Sequence, residues 1–95
     1  MRRAIERFNS SDEARKVAGL CRSLGQPNVA VRAKGQTALV TVAWELSWYQ
    51  WEVDANGGSG AVREVGKGDE VSELPEDARA WNAAADEDGR LRLEG

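Results

Sequence analysis

Cys21 is the only cysteine in the chain, and the chain has no histidine. The missing imidazole removes the commonest general base and metal ligand, and with it the Ser-His-Asp and Cys-His nucleophile arrangements. One thiol without a histidine does not furnish a structural zinc site within a single chain. Cys21 shares helical spacing with Ala14, Val17, Ala18 and Leu24, so it reads as a core thiol rather than a reactive one. The glycine-rich stretches NGGSG and GKG match neither G-x-x-x-x-G-K-[ST] nor G-x-G-x-x-G, and strand-like Ala61–Val65 follows the first of them. Acidic runs at Asp69–Asp77 and Asp86–Gly89 lack the spacing of an EF-hand calcium loop and read as solvated surface. No residue is therefore assigned a catalytic, cofactor-binding or metal-ligating role, and the chain points away from catalysis.

The aromatic residues carry more information. TALVTVAWELSWYQWEVD, Thr37–Asp54, holds three of the four tryptophans and the only tyrosine. Trp44, Trp48 and Trp81 fall on apolar stripes and are expected in the core. Tyr49 and Trp51 have two readings. They either complete the core or anchor a protein interface, for which Tyr and Trp are favoured; stacking on a ligand or a base is a third use.

Charge is distributed unevenly. The net charge is −3, with ten arginines to three lysines, a ratio that fits high-GC coding. Residues 1–35 carry eight basic side chains (Arg2, Arg3, Arg7, Arg15, Lys16, Arg22, Arg32, Lys34) against three acids, while residues 36–95 carry five basic against thirteen acidic. A basic N-terminal part of this kind is a candidate nucleic-acid surface. The acidic total and the lack of basic-aromatic interleaving argue against it.

These residues need elements to position them. Ninety-five residues, 41% hydrophobic and 31% charged, suit one folded α+β domain spanning residues 1–95. No long apolar run or signal segment is evident, and with one cysteine a reducing cytoplasm is the expected setting. Ala4–Phe8 alternates and reads as a short strand. Ser10–Gly25 reads as a helix with a Ser10–Glu13 capping box and Gly25 as its stop. NVAVRAKGQTALV reads as a hairpin turning at Lys34-Gly35. In Thr37–Asp54 the apolar set runs Ala38, Val40, Val42, Trp44, Leu46, Trp48 and then changes parity to Tyr49, Trp51, Val53. A straight strand cannot keep both sets on one face. With no Gly, Pro or Asn available for a tight turn, a β-bulge near Ser47–Trp48 is expected. Ala55–Gly60 reads as a flexible turn and Ala61–Val65 as a strand. Pro75 opens an expected second helix carrying Ala78, Trp81 and Ala85, and Leu91 and Leu93 mark a last strand.

The resulting order, β-α-β-β-β-α-β, places two helices on one face of an antiparallel sheet. Discounting the short third member of the central meander, it resembles the βαββαβ arrangement of ferredoxin-like folds. That resemblance lies at the level of pattern and assigns no function. The expected function is a small non-catalytic protein–protein interaction module, a homodimer acting through the sheet around Tyr49 and Trp51. The alternatives are nucleic-acid binding through the basic part, or a small-ligand site or enzyme with an aromatic-lined pocket between sheet and helices.

Overall fold

A computed structural model describes residues 2–54 and 62–94. The Ala55–Gly60 turn lies outside these residues. The chain begins with two helices, α1 (Arg2–Asn9) and α2 (Asp12–Leu24). Six strands follow: β1 (Asn28–Lys34), β2 (Thr37–Trp44), β3 (Ser47–Asp54), β4 (Val62–Gly68), β5 (Ala83–Ala85) and β6 (Leu91–Leu93). Two short 3₁₀ turns, Val71–Glu73 and Glu76–Arg79, link β4 to β5. The strands form one antiparallel sheet in the order β4-β3-β2-β1-β5-β6. The class is α+β, with both helices against one face of an antiparallel sheet.

The core follows from strand alternation. Val29, Val31, Ala38, Val40, Val42, Trp44, Trp51 and Val53 point to one face and pack with Ala4, Ile5 and Phe8 of α1 and Ala14 and Val17 of α2. The opposite face is also covered. Ala30, Leu39, Thr41 and Ala43 are buried there, and so are Leu74 and Ala78 of the 3₁₀ segment. Arg32 reaches Asp77 of that segment, and Trp48 Nε1 donates to Glu73 Oε1 at 3.2 Å. Thr41 is 1% exposed and accepts a hydrogen bond from Gln50 Nε2 at 3.1 Å.

Five expectations are corrected. Ala4–Phe8 is helical: Ala4, Ile5 and Phe8 share the buried side of α1, and over five residues a period of two and a helical face fit the same apolar positions. The capping box does not form. Helix α2 starts one residue later, with Ser11 extended at φ −92° and its hydroxyl donating to the Phe8 carbonyl at 2.6 Å, while Glu13 turns to accept from the Trp51 indole. The Pro75 helix shrinks to one 3₁₀ turn. Trp81 follows it at φ 32° and only half-buried, and Ala85 sits on β5, so the stripe Ala78-Trp81-Ala85 is not helical. The chain order therefore differs from β-α-β-β-β-α-β and from the ferredoxin-like arrangement: no strand precedes α1 among the described residues, and both helices come before the sheet.

The fourth correction concerns Thr37–Asp54. It is a hairpin with the tight two-residue turn Glu45-Leu46, closing Trp44 against Ser47. That loop accounts for the parity change. Val42 pairs with Tyr49, Val40 with Trp51 and Ala38 with Val53, so even positions before the turn share a face with odd positions after it. Trp48 consequently lies opposite Ala43 on the far face, half-buried, and is not in the Trp44 core. A bulge does exist, but in the β3–β4 ladder between Gln50 and Trp51. The first hairpin turns one residue later than expected, at Gly35-Gln36 between paired Lys34 and Thr37, with Gly35 at φ 62°.

Candidate functional site

Tyr49 stands where the core meets the surface. Phe8 meets Trp51 edge-on at 5.2 Å, Trp51 stacks on Tyr49 at 5.9 Å and 18°, and Tyr49 meets Trp44 edge-on at 6.3 Å. This row of rings runs outward from buried Phe8 to half-buried Tyr49. Offset and edge contacts of this kind suit the aromatic quadrupole. Lys16 of α2 closes the other side, its Nζ 4.7 Å from the Tyr49 ring centre and 2.6 Å from Glu64 Oε1. The hydrogen bond that Lys16 donates to Glu64 raises the Lys16 pKa above the ordinary lysine value, so the ammonium stays charged over the ring.

A groove of about 350 Å³ opens beside this row, lined by Ser47, Tyr49, Lys67, Gly68 and Asp69. It offers a hydroxyl, an aromatic edge, an ammonium and a carboxylate. That set can donate and accept hydrogen bonds, and among the described residues it holds no nucleophile paired with a base. Gly66 and Gly68 beneath it hold the ring of Trp48 on the far face. A Cβ on Gly68 would come within 2.6 Å of Trp48 Cε2 and Cζ2. The GKG stretch is therefore strand whose glycines seat a tryptophan. A second concavity of about 270 Å³ includes Cys21, Arg22 and Glu87. Burial, followed by the charge of Asp86, pushes the Cys21 thiol pKa up, away from the reactive thiolate. No three Cys, Asp or Glu side chains are placed to hold a metal among the described residues.

The two aromatics singled out from sequence separate here. Trp51 is 0% exposed and its Nε1 donates to Glu13 at 2.8 Å, so it has no surface for a partner. Tyr49 alone keeps an accessible edge. The eight basic residues do not form one face. Arg2, Arg3, Arg7, Arg15, Lys16 and Arg22 sit on the helices, whereas Arg32 and Lys34 alternate onto the opposite side of the sheet. Several are neutralised: Lys16 by Glu64, Arg32 by Asp77, Lys34 by Glu52 at 3.8 Å and Arg15 by Asp12 at 4.0 Å.

The sequence reading missed Ser47, Lys67 and Asp69. The signal was the alternation of Gly66 and Gly68 around Lys67, a strand spacing in which the lysine faces away from the glycines. It also missed two asparagine clamps. Asn82 accepts from Val31 N–H at 2.8 Å and donates to its carbonyl at 2.9 Å. Asn9 does the same to Leu91, at 2.7 and 3.0 Å. No protein-family model, curated protein or solved structure matches this chain.

Proposed function

We propose that this chain is a small non-catalytic protein-interaction module that forms a homodimer through the sheet edge beside Tyr49. The supporting observation is an asymmetry between the two sheet edges. At β6, Asn9 occupies the outward N–H and carbonyl of Leu91. At β4, no side chain bonds the strand's backbone among the described residues. An uncovered edge is a ready template for another chain. The groove with Tyr49 lies at the Lys67–Gly68 end of that edge, so a strand added there covers it. A rigid tyrosine flanked by charges of both signs suits a protein partner. A cytoplasmic setting goes with this reading, since the lone Cys21 remains a free thiol.

Sedimentation tests the proposal. The wild type should run as a dimer at tens of micromolar, and Tyr49→Ser should run as a monomer with an unchanged circular-dichroism spectrum. A clean wild-type monomer at high micromolar concentration ends this reading.

A further inference from the structure

We propose that the homodimer forms by antiparallel pairing of β4 with β4 of the second copy, with Glu64 of each chain facing the partner's Lys67. The two six-stranded sheets then run on as one. This inference rests on the homodimer reading above and adds its register.

Three observations carry it. The first is the direction of the backbone groups. Trp44 and Ser47 close the two-residue hairpin, and hydrogen-bonded and open pairs alternate from there along each ladder. Trp48 and Gln50 therefore bond toward β4, to Gly68 and Gly66, and the N–H and carbonyl of Lys67 between them point away from the sheet.

The second is the bulge. In a regular strand, residues three apart lie on opposite faces. Here Lys67 pairs with Tyr49 and Glu64 with Trp51, both on the helix-bearing face, because the ladder shifts between Gln50 and Trp51. Two opposite charges thus share one face, separated only by Val65 and Gly66.

The third is symmetry. A two-fold axis normal to the sheet between Val65 and Gly66 keeps each face on its own side and sets Glu64 against Lys67 twice. In the same register Arg63 meets glycine, the partner's Gly68. A slip of one residue in either direction sets side chains of opposite faces against each other, as with Arg63 of the far face and Lys67 of the helix-bearing face, and a slip of two in one direction sets Glu64 against Asp69, a like-charge pair. Asp69 lies past the end of β4, and its N–H is already bonded to Glu73. A bulge and a lysine usually guard an edge against pairing. On this edge they penalise the wrong registers and leave one that is self-complementary. Within the chain Glu64 Oε1 holds Lys16, and in the proposed dimer the second oxygen accepts from the partner's Lys67.

The experiment exchanges charges. Lys67→Glu and Glu64→Lys are each expected to weaken self-association about tenfold or more, since two attractive cross-strand pairs become repulsive. Mixed in equal amounts, the two variants should form a heterodimer with close to wild-type affinity, because every Glu again faces a Lys. Hydrogen exchange of the wild type provides a second measurement that needs no variant. The Lys67 amide should exchange at least tenfold more slowly at dimer concentrations than after dilution to monomer. A wild-type dimer whose affinity ignores both swaps, or whose Lys67 amide exchanges equally fast in both states, overturns the β4 pairing and leaves the homodimer reading standing. A wild type that is monomeric throughout overturns both.

Discussion

At the scale of single residues, Trp51 and Tyr49 sit two apart on one strand face and divide the labour of the aromatic row. Trp51 is enclosed by Phe8, Tyr49 and the Glu13 carboxylate. Trp51→Ala removes a whole core aromatic and leaves the Glu13 carboxylate without its indole partner, a loss of roughly 3–5 kcal/mol. Chemical denaturation reads this directly; an unchanged midpoint would remove Trp51 from the core. Trp44, buried and hydrogen-bonded to the Gly25 carbonyl at 2.8 Å, was readable from its alternation with Val40 and Val42. Trp51 was not, because its role depends on which residues the hairpin turn sets opposite it. Glu73 supplies a pH signature. Its carboxylate accepts the Glu70 N–H, the Trp48 indole N–H and the Asp69 N–H, and these bonds hold its pKa below the ordinary glutamate value. The support it provides is complete above that ordinary value and is lost as pH falls through the lower folded value. Trp48 emission should change in that acid window in the wild type and not in Glu73→Gln. Identical acid titrations of the two proteins would show that Glu73 does not hold Trp48.

Elements meet most tightly where the β5–β6 turn touches α2. Gly89 sits there at φ 76°, and a Cβ would lie 2.0 Å from the Ala14 carbonyl oxygen and 2.6 Å from the Ala18 nitrogen. Gly89→Ala must therefore push the turn off the helix as well as strain the backbone, at a cost of about 2–4 kcal/mol. Thermal unfolding checks this, and a melting temperature within a degree of wild type would show that the turn yields without loss. The turn at Gly35 was readable from its sequence. The Glu45-Leu46 turn was not. It lacks the residues that announce two-residue loops, and among the described residues no non-glycine besides Trp81 takes a positive φ. Its only trace was the change of parity, which a bulge explains equally well on paper. The same limit applies to the C-terminal segment. Pro75, Glu76 and Asp77 are sound helix-opening residues, yet the chain leaves the helix after Arg79 because Leu74 and Ala78 already cover the far face of the sheet.

For the whole molecule, the α+β class and the presence of helices on one sheet face were readable, because both follow from periodicity alone. The chain order was not, since α1 is too short for its period to decide. Charge gave a half-truth: the basic half exists in sequence and is split across the sheet in space. Binding to DNA or RNA at physiological salt is accordingly expected to be weak, and sub-micromolar binding to either would restore the basic residues as a functional surface. The strand order has a consequence for the time course of folding. Strands β1 to β4 are neighbours both in sequence and in the sheet, so each hairpin closes over a short span. Strand β5 must return to β1 from far along the chain, through the pair Val29 and Ala83 and the Asn82 clamp on Val31. Long closures are slow, because their entropy is lost before their contacts form. The meander should therefore appear first and the C-terminal hairpin dock afterward, with Asn9 fastening the two ends of the chain last. Stopped-flow measurements on Asn82→Ala should then show faster unfolding at an unchanged refolding rate. A refolding rate that falls with stability would place that clamp in the rate-limiting step instead.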